Sequence, residues 1–312
     1  MNKIILIFSF LLISNTIFSQ NDKLIIGRTT GNLFIKKNME LRVFGFSNSL
    51  SGQILLPGPC IDVVVNDSIN IDLWNISQGN PVSLTCNNIT FLQYNENKEQ
   101  LPNQEVIDHM EHGFYSFTAK KPGTYFYYSP ENYPFNIQAG MFGTIIIRDK
   151  KSDYLNKKTN NEVLWCSNEI DTEWHTDAIM NVEHNEINEQ IILPDYLPNY
   201  FLINGKRAKK LKGLQPLKNR KNNTTLLVRL VNAGLYHHEI EFPLKMNPQL
   251  IFGKSANLIK SIKYFKVMLN KGECVELSVS LKDIGKRDHI VYRYIDPITK
   301  EVKHKANINV FY

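Results

Sequence analysis

Imidazole, thiolate and thioether groups are the ligands that soft and borderline metals select, so the eight histidines, four cysteines and nearby methionines of this chain come first. A pair of histidines at i and i+2 on a strand points to one face and can grip one ion; no two histidines here are so spaced. His109, Met110 and His112 in DHMEHG are the best candidate metal cluster, because imidazole and thioether both suit copper. They precede the run GFYSFTA, where adventitious binding or none is expected, with a genuine weak site as the alternative. His237 and His238 are adjacent, so on a strand they face opposite ways and pack or meet solvent. His175 follows Trp174 and is expected to be structural, and His184 to sit in a solvated loop. Cys60, Cys86, Cys166 and Cys274, two in each half, show no Cys-x-x-Cys and no cysteine–histidine metal spacing. In an oxidising compartment they either bridge within each half or remain buried free thiols. Glu169, Asp171, Glu173 and Asp177 fall in a polar stretch that solvation or weak cation binding explains, and no Gly-x-Ser-x-Gly nucleophile motif is present.

The elements that must carry these residues are strands. Short β-rich runs such as IDVVVND, SINIDLWN, GTYFYY and GTIIIRD alternate with Gly, Pro and Asn, and no segment sustains a 3.6-residue apolar period. The second half repeats the pattern with EVLWCSNE, YFLING, TTLLVRLVN, HHEIEF, KYFKVMLN, CVELSVSL and HIVYRYI, plus a short helix expected at Thr176–Val182. The chain therefore reads as all-β, with one domain over 20–150, a polar linker over 151–160 and a second domain over 161–312. The first twenty residues have the layout of a secretory signal, with Lys3 before an apolar run, which predicts residues 1–19 as a signal peptide cleaved near Ser19. No later run has the roughly 20 apolar residues of a membrane span. A net charge of +6 is mild, and the basic run KRAKKLK, Lys206–Lys212, lacks a stacking motif, so it reads as a solvated loop and not a nucleic-acid site.

Several blocks, in order, resemble the multicopper oxidases. LLPGPCIDVVVNDSINIDLWN is similar to the opening of that family's first domain, and KPGTYFYYSPENYPFNIQAGMFGTIII to its closing strands. YFLINGK, LLVRLVNAGLYHHEIEF and LNKGECVELSVSL are similar to its second domain. The resemblance implies two tandem cupredoxin-like Greek-key β-sandwiches. It also implies where copper ligands should stand: Thr85 and Asn87 in PVSLTCNN, with Cys86 on the opposite face, and Tyr128 and Pro130 in YYSPEN. None of these four is a good copper ligand. The family's blue copper centre is implied to lie in a third domain, beyond the last matched block. Phe126, Tyr128, Tyr133, Phe135 and Phe142 surround the former metal face, either as a core cap or as an exposed partner surface, and Tyr128 is expected to be a buried plug.

These readings lead to an exported protein, periplasmic or secreted, that is derived from the oxidases and acts as a non-catalytic binding or scaffold protein of the cell envelope. The alternative is a copper oxidoreductase whose ligands are relocated or supplied by a partner. No cofactor is predicted, with copper if the family activity is retained. The partner is an unnamed protein or envelope component, with no nucleic acid and no transmembrane segment.

Overall fold

The structure, a computed structural model, describes residues 21–37, 39–149, 162–181, 192–211, 213 and 225–311. The expected signal segment, the 151–160 linker, His184 and Lys212 lie outside them. The described strands form four sheets, with strands numbered in chain order. One has the order β2-β1-β4-β7-β6: Met39–Ser47, Asn21–Lys36, Ser68–Asn75, His112–Thr118 and Leu92–Tyr94. It faces a sheet ordered β3-β9-β8-β5: Cys60–Val64, Phe142–Arg148, Gly123–Tyr128 and Thr85–Cys86. Ile25, Phe44, Ile71 and Leu73 from the first sheet and Ile61, Tyr125, Tyr127 and Ile145 from the second share one buried core.

The second sandwich is built the same way. Its inner-facing sheet runs β12-β11-β10-β13-β18-β15: Lys206–Arg207, Tyr200–Ile203, Glu162–Ile170, Thr225–Asn232, Cys274–Ser280 and Gln249–Phe252. The outer sheet runs β16-β17-β14-β19-β20: Leu258–Lys260, Phe265–Leu269, His237–Phe242, His289–Ile295 and Val302–Asn309. Trp165, Val228, Leu277, Ile240 and Tyr292 meet between them. The chain is an all-β protein of cupredoxin-like sandwiches, and the described residues include two short α-helices, α1 (Phe135–Ala139) and α2 (Asp177–Met180). The latter falls inside the helix expected at Thr176–Val182.

Side-chain alternation explains how the sandwiches join. On β8, Tyr125 and Tyr127 enter the first core while Phe126 points the other way into a cluster with Phe142, Cys166, Val231 and Ala233. On β13, Leu226, Val228 and Leu230 face the second core, leaving Arg229 and Val231 for the first sandwich. Strands buried on both faces read as unbroken apolar runs, as GTYFYY and TLLVRLVN do. A second patch joins Ile35 and Leu41 of the β1–β2 hairpin to Ile170 and Leu202. Between the patches an ionic chain passes from Asp62 to Arg148, Glu162, Arg229 and Glu276, ending on Thr124, whose hydroxyl donates to Glu276 over 2.6 Å. Burial pushes the Glu162 carboxyl up, but its hydrogen bond from Arg148 and the charge of Arg229 outweigh this and hold it below the usual range.

Candidate functional site

The sandwich interface brings together some of the residues singled out in the sequence and separates others. Thr85 and Tyr128 are direct cross-strand partners on β5 and β8, as Cys86 and Tyr127 are. Cys86 is buried in the first core while Thr85 is half-buried, so Thr85 and Cys86 do lie on opposite faces. Asn87 follows β5 and donates from Nδ2 to the Gly272 carbonyl of the second sandwich at 3.4 Å. Pro130, half-buried, lies past the end of β8. Tyr128 is half-buried and stacked on Phe126 with ring centroids 5.2 Å apart. It is thus neither a fully buried plug nor a free anchor.

The aromatic group divides among three environments. Phe126 and Phe142 are buried between the sandwiches, and Phe135 packs edge-on against Phe44 in the first core. Tyr133 is exposed, with the Lys271 ammonium 4.2 Å above its ring.

His109 and Met110 precede β7, and His112 opens it. Met110 is exposed at φ 68°, while His112 is bound through Nδ1 to Asp72 at 2.7 Å and stacked on Trp74. Among the described residues no group of three or more His, Cys, Asp or Glu side chains could hold a metal ion. Of the two alternatives, bridges or buried free thiols, the four cysteines are free thiols, buried at Cys86 and Cys166, half-buried at Cys274 and, against expectation, exposed at Cys60. Burial pushes the Cys86 thiol up to about 12, so it is unreactive at neutral pH.

Two buried polar groups were not legible in the sequence. In the second sandwich Ser167 Oγ lies 2.7 Å from His238 Nδ1 and 2.5 Å from the Tyr292 hydroxyl, and His238 Nε2 lies 3.2 Å from Glu169. The residue types are those of an acid–base–nucleophile set, but Ser167, His238 and Glu169 are all sealed from solvent. Glu169 also accepts the backbone N–H groups of Leu235 and Tyr236. This network fixes the Leu235–His238 turn onto β10, and substrate has no route to it.

The other group lies at one end of the first sandwich. Asn80 Nδ2 reaches Met141 Sδ at 3.5 Å, Asn136 Nδ2 donates to Ser129 Oγ at 3.3 Å, and the Ser129 N–H bonds the Met141 carbonyl at 3.0 Å. All four residues are buried, and Asn136 Oδ1 has no hydrogen-bond partner. β8 supplies the approach to Ser129, α1 carries Asn136, and Gly140 at φ 123° turns the chain so that Met141 comes back onto Ser129.

Residues 49–152 match the family model described as multicopper oxidase. About a third of the chain thus carries a sequence pattern similar to that family's. The fold extends beyond that third. A blue copper oxidase from Nitrosomonas europaea superimposes with a TM-score of 0.63 at 16% identity, over 93% of this chain and 86% of that one. The multicopper oxidase mgLAC gives 0.61 at 17% identity, over 93% and 86%. A copper nitrite reductase from Nitrosomonas europaea gives 0.57 at 17% identity, over 94% of each chain. At these identities the likeness is one of fold. No curated protein sequence matches the chain.

The buried Asn80–Ser129–Asn136–Met141 group can be compared with a copper ligand set by its chemistry. A blue copper site uses two imidazoles, one thiolate and a weak axial thioether. Here two amides, a hydroxyl and a thioether make up the same number of side chains. Amide and hydroxyl are poor donors for copper, so the residues present do not fit the metal. A search for Cys followed by His and Met cannot find the group. Met141 in AGMFG supplies the thioether, and the other three members of the group are polar.

Proposed function

We propose that this multicopper-oxidase-like protein is exported and acts in the cell envelope as a non-catalytic binding or scaffold protein. The observation that carries the reading is the chemistry of two places. Thr85, Asn87, Tyr128 and Pro130 occupy positions where the family resemblance expects histidines, and the buried group that includes Met141 is otherwise made of the hard, neutral donors of Asn80, Ser129 and Asn136. Electron transfer through copper requires donors of the other kind. The signal-like first nineteen residues support export.

The test is copper reconstitution of the mature protein, followed by chelator dialysis, metal analysis and a visible spectrum. The expected result is no retained copper and no intense blue thiolate band. The triple variant Asn80→His, Ser129→Cys, Asn136→His, with Met141 kept, is expected to gain that band. Stoichiometric copper in the unmodified protein, together with phenol oxidation, would instead favour a copper oxidoreductase with ligands relocated or supplied by a partner. Intact mass of the exported protein checks the export step, and retention of Met1–Ser19 would refute it.

A further inference from the structure

Between the two sandwiches, beside Asn87 and Phe126, a cleft of about 620 Å³ opens to solvent, within the roughly 300–1,000 Å³ of small-molecule sites. Its walls come from both sandwiches: Lys121 and Asn87 from the first, Lys254, Lys271 and Glu273 from the second. Gly272 has φ 73°, and a Cβ there would stand 2.7 Å from Asn87 Nδ2, so glycine is what lets the two walls approach.

The charges on these walls are unequal, with three ammonium groups against one carboxylate. The carboxylate is also used up. Glu273 accepts from Lys254 Nζ at 3.2 Å, Asn257 Nδ2 at 2.7 Å and the Asn270 N–H at 2.9 Å. Lys121 and Lys271 make no ion pair among the described residues. Each instead lies over an aromatic ring, Lys121 at 5.9 Å from Phe252 and Lys271 at 4.2 Å from Tyr133. A ring face attracts an ammonium group but accepts none of its hydrogen bonds as an oxygen would. Burial lowers the Lys271 pKa with no carboxylate to offset it, a cost that a bound anion would remove.

We propose that this cleft binds a small, multiply charged oxyanion, a polycarboxylate or polyphosphate whose charged groups bridge Lys121 and Lys271. A cation would be repelled, and a neutral ligand would leave both ammonium groups as they are. The inference rests on the reading of the chain as a binding protein and gives that reading a ligand class.

The experiment titrates citrate and, separately, pyrophosphate into the chelator-treated full mature protein by calorimetry, at low and at physiological ionic strength. One site per chain is expected for at least one probe, weakened by salt. The tighter probe tells whether carboxylate or phosphate is preferred. The double variant Lys121→Gln/Lys271→Gln should bind about tenfold or more weakly, and Lys121→Arg/Lys271→Arg should keep most of the affinity. Lys36→Gln, remote from the cleft, should bind as the unmodified protein does. Absence of binding by both probes, or undiminished binding by the folded Gln double variant, overturns the proposal. Copper analysis of untreated protein is a separate measurement, so copper found there would refute the copper-free reading and leave the cleft result standing.

Discussion

His175 shows how one side chain can tie stability to pH. It sits in the short 3-10 helix Thr172–His175 and is buried there, its Nδ1–H donating to the Arg42 carbonyl over 2.6 Å while Nε2 has no partner. Burial lowers its pKa from the ordinary value near 6.5, outweighing the Arg42 carbonyl and the charge of Asp171. The neutral form is thus the one that fits the fold. Below about pH 6.5 the unfolded chain binds a proton that the folded chain resists, so stability is complete above that pH and falls as acid is added. His237 and His304 are also held low by burial and act in the same direction. Denaturant unfolding between pH 7.5 and 5.5 should show this loss, and His175→Asn, which keeps a donor near Nδ1, should flatten the slope. Tyr128 permits a second test. Being half-buried, Tyr128→Ala should cost about half of the ~3–5 kcal/mol of a full aromatic truncation, read as a shift in thermal midpoint with the stack on Phe126 lost.

At the scale of the element, the informative strands are β8 and β13, each with one face in its own sandwich and one in the join. Arg229 and Glu276 are each only 5% exposed, and Arg229 also donates to Thr124 Oγ1 at 3.1 Å. Removing one partner would strand a buried charge, so Arg229→Met or Glu276→Gln alone should destabilise by roughly 3–5 kcal/mol, and Arg229→Met/Glu276→Met together by less than the sum. A double-mutant cycle by urea unfolding measures this. Much of this level was visible in the sequence, because alternation in SINIDLWN and HHEIEF and the turn residues between runs specify strands directly. What GTYFYY and TLLVRLVN could not disclose is the partner of their second face. An arginine inside an apolar strand pattern was the hint that this face meets an opposing charge. Asn80, Ser129 and Asn136 were hidden for a different reason. They are scattered over fifty-odd residues, and only the return of Met141 onto Ser129 makes them neighbours.

At the scale of the whole molecule, the two sandwiches share the buried Phe126–Phe142–Cys166–Val231 cluster, the Ile35–Leu41–Ile170–Leu202 patch and a five-residue ionic chain between them. An interface of this apolar character couples its domains. Calorimetry should give a single unfolding transition, coincident by tryptophan fluorescence and far-UV circular dichroism, and two separated transitions would contradict the coupling. The overall likeness to copper oxidases was readable from five ordered blocks because fold follows patterning, while the ligands are a few letters that patterning does not constrain.

The hydrogen bond from His175 to Arg42 has one more consequence, for the order in which the chain emerges from the ribosome. β2 is the edge strand of its sheet, and the residues that lie against it, Thr172–His175 with Asn181 bonded to Arg42, belong to the later half. An uncovered edge is a template for another copy's strand. During synthesis the residues of the first sandwich therefore emerge while that edge still lacks its cover. Residues 20–150 made alone should associate through β2, and the length of time before residue 181 arrives sets how much a holding chaperone is needed.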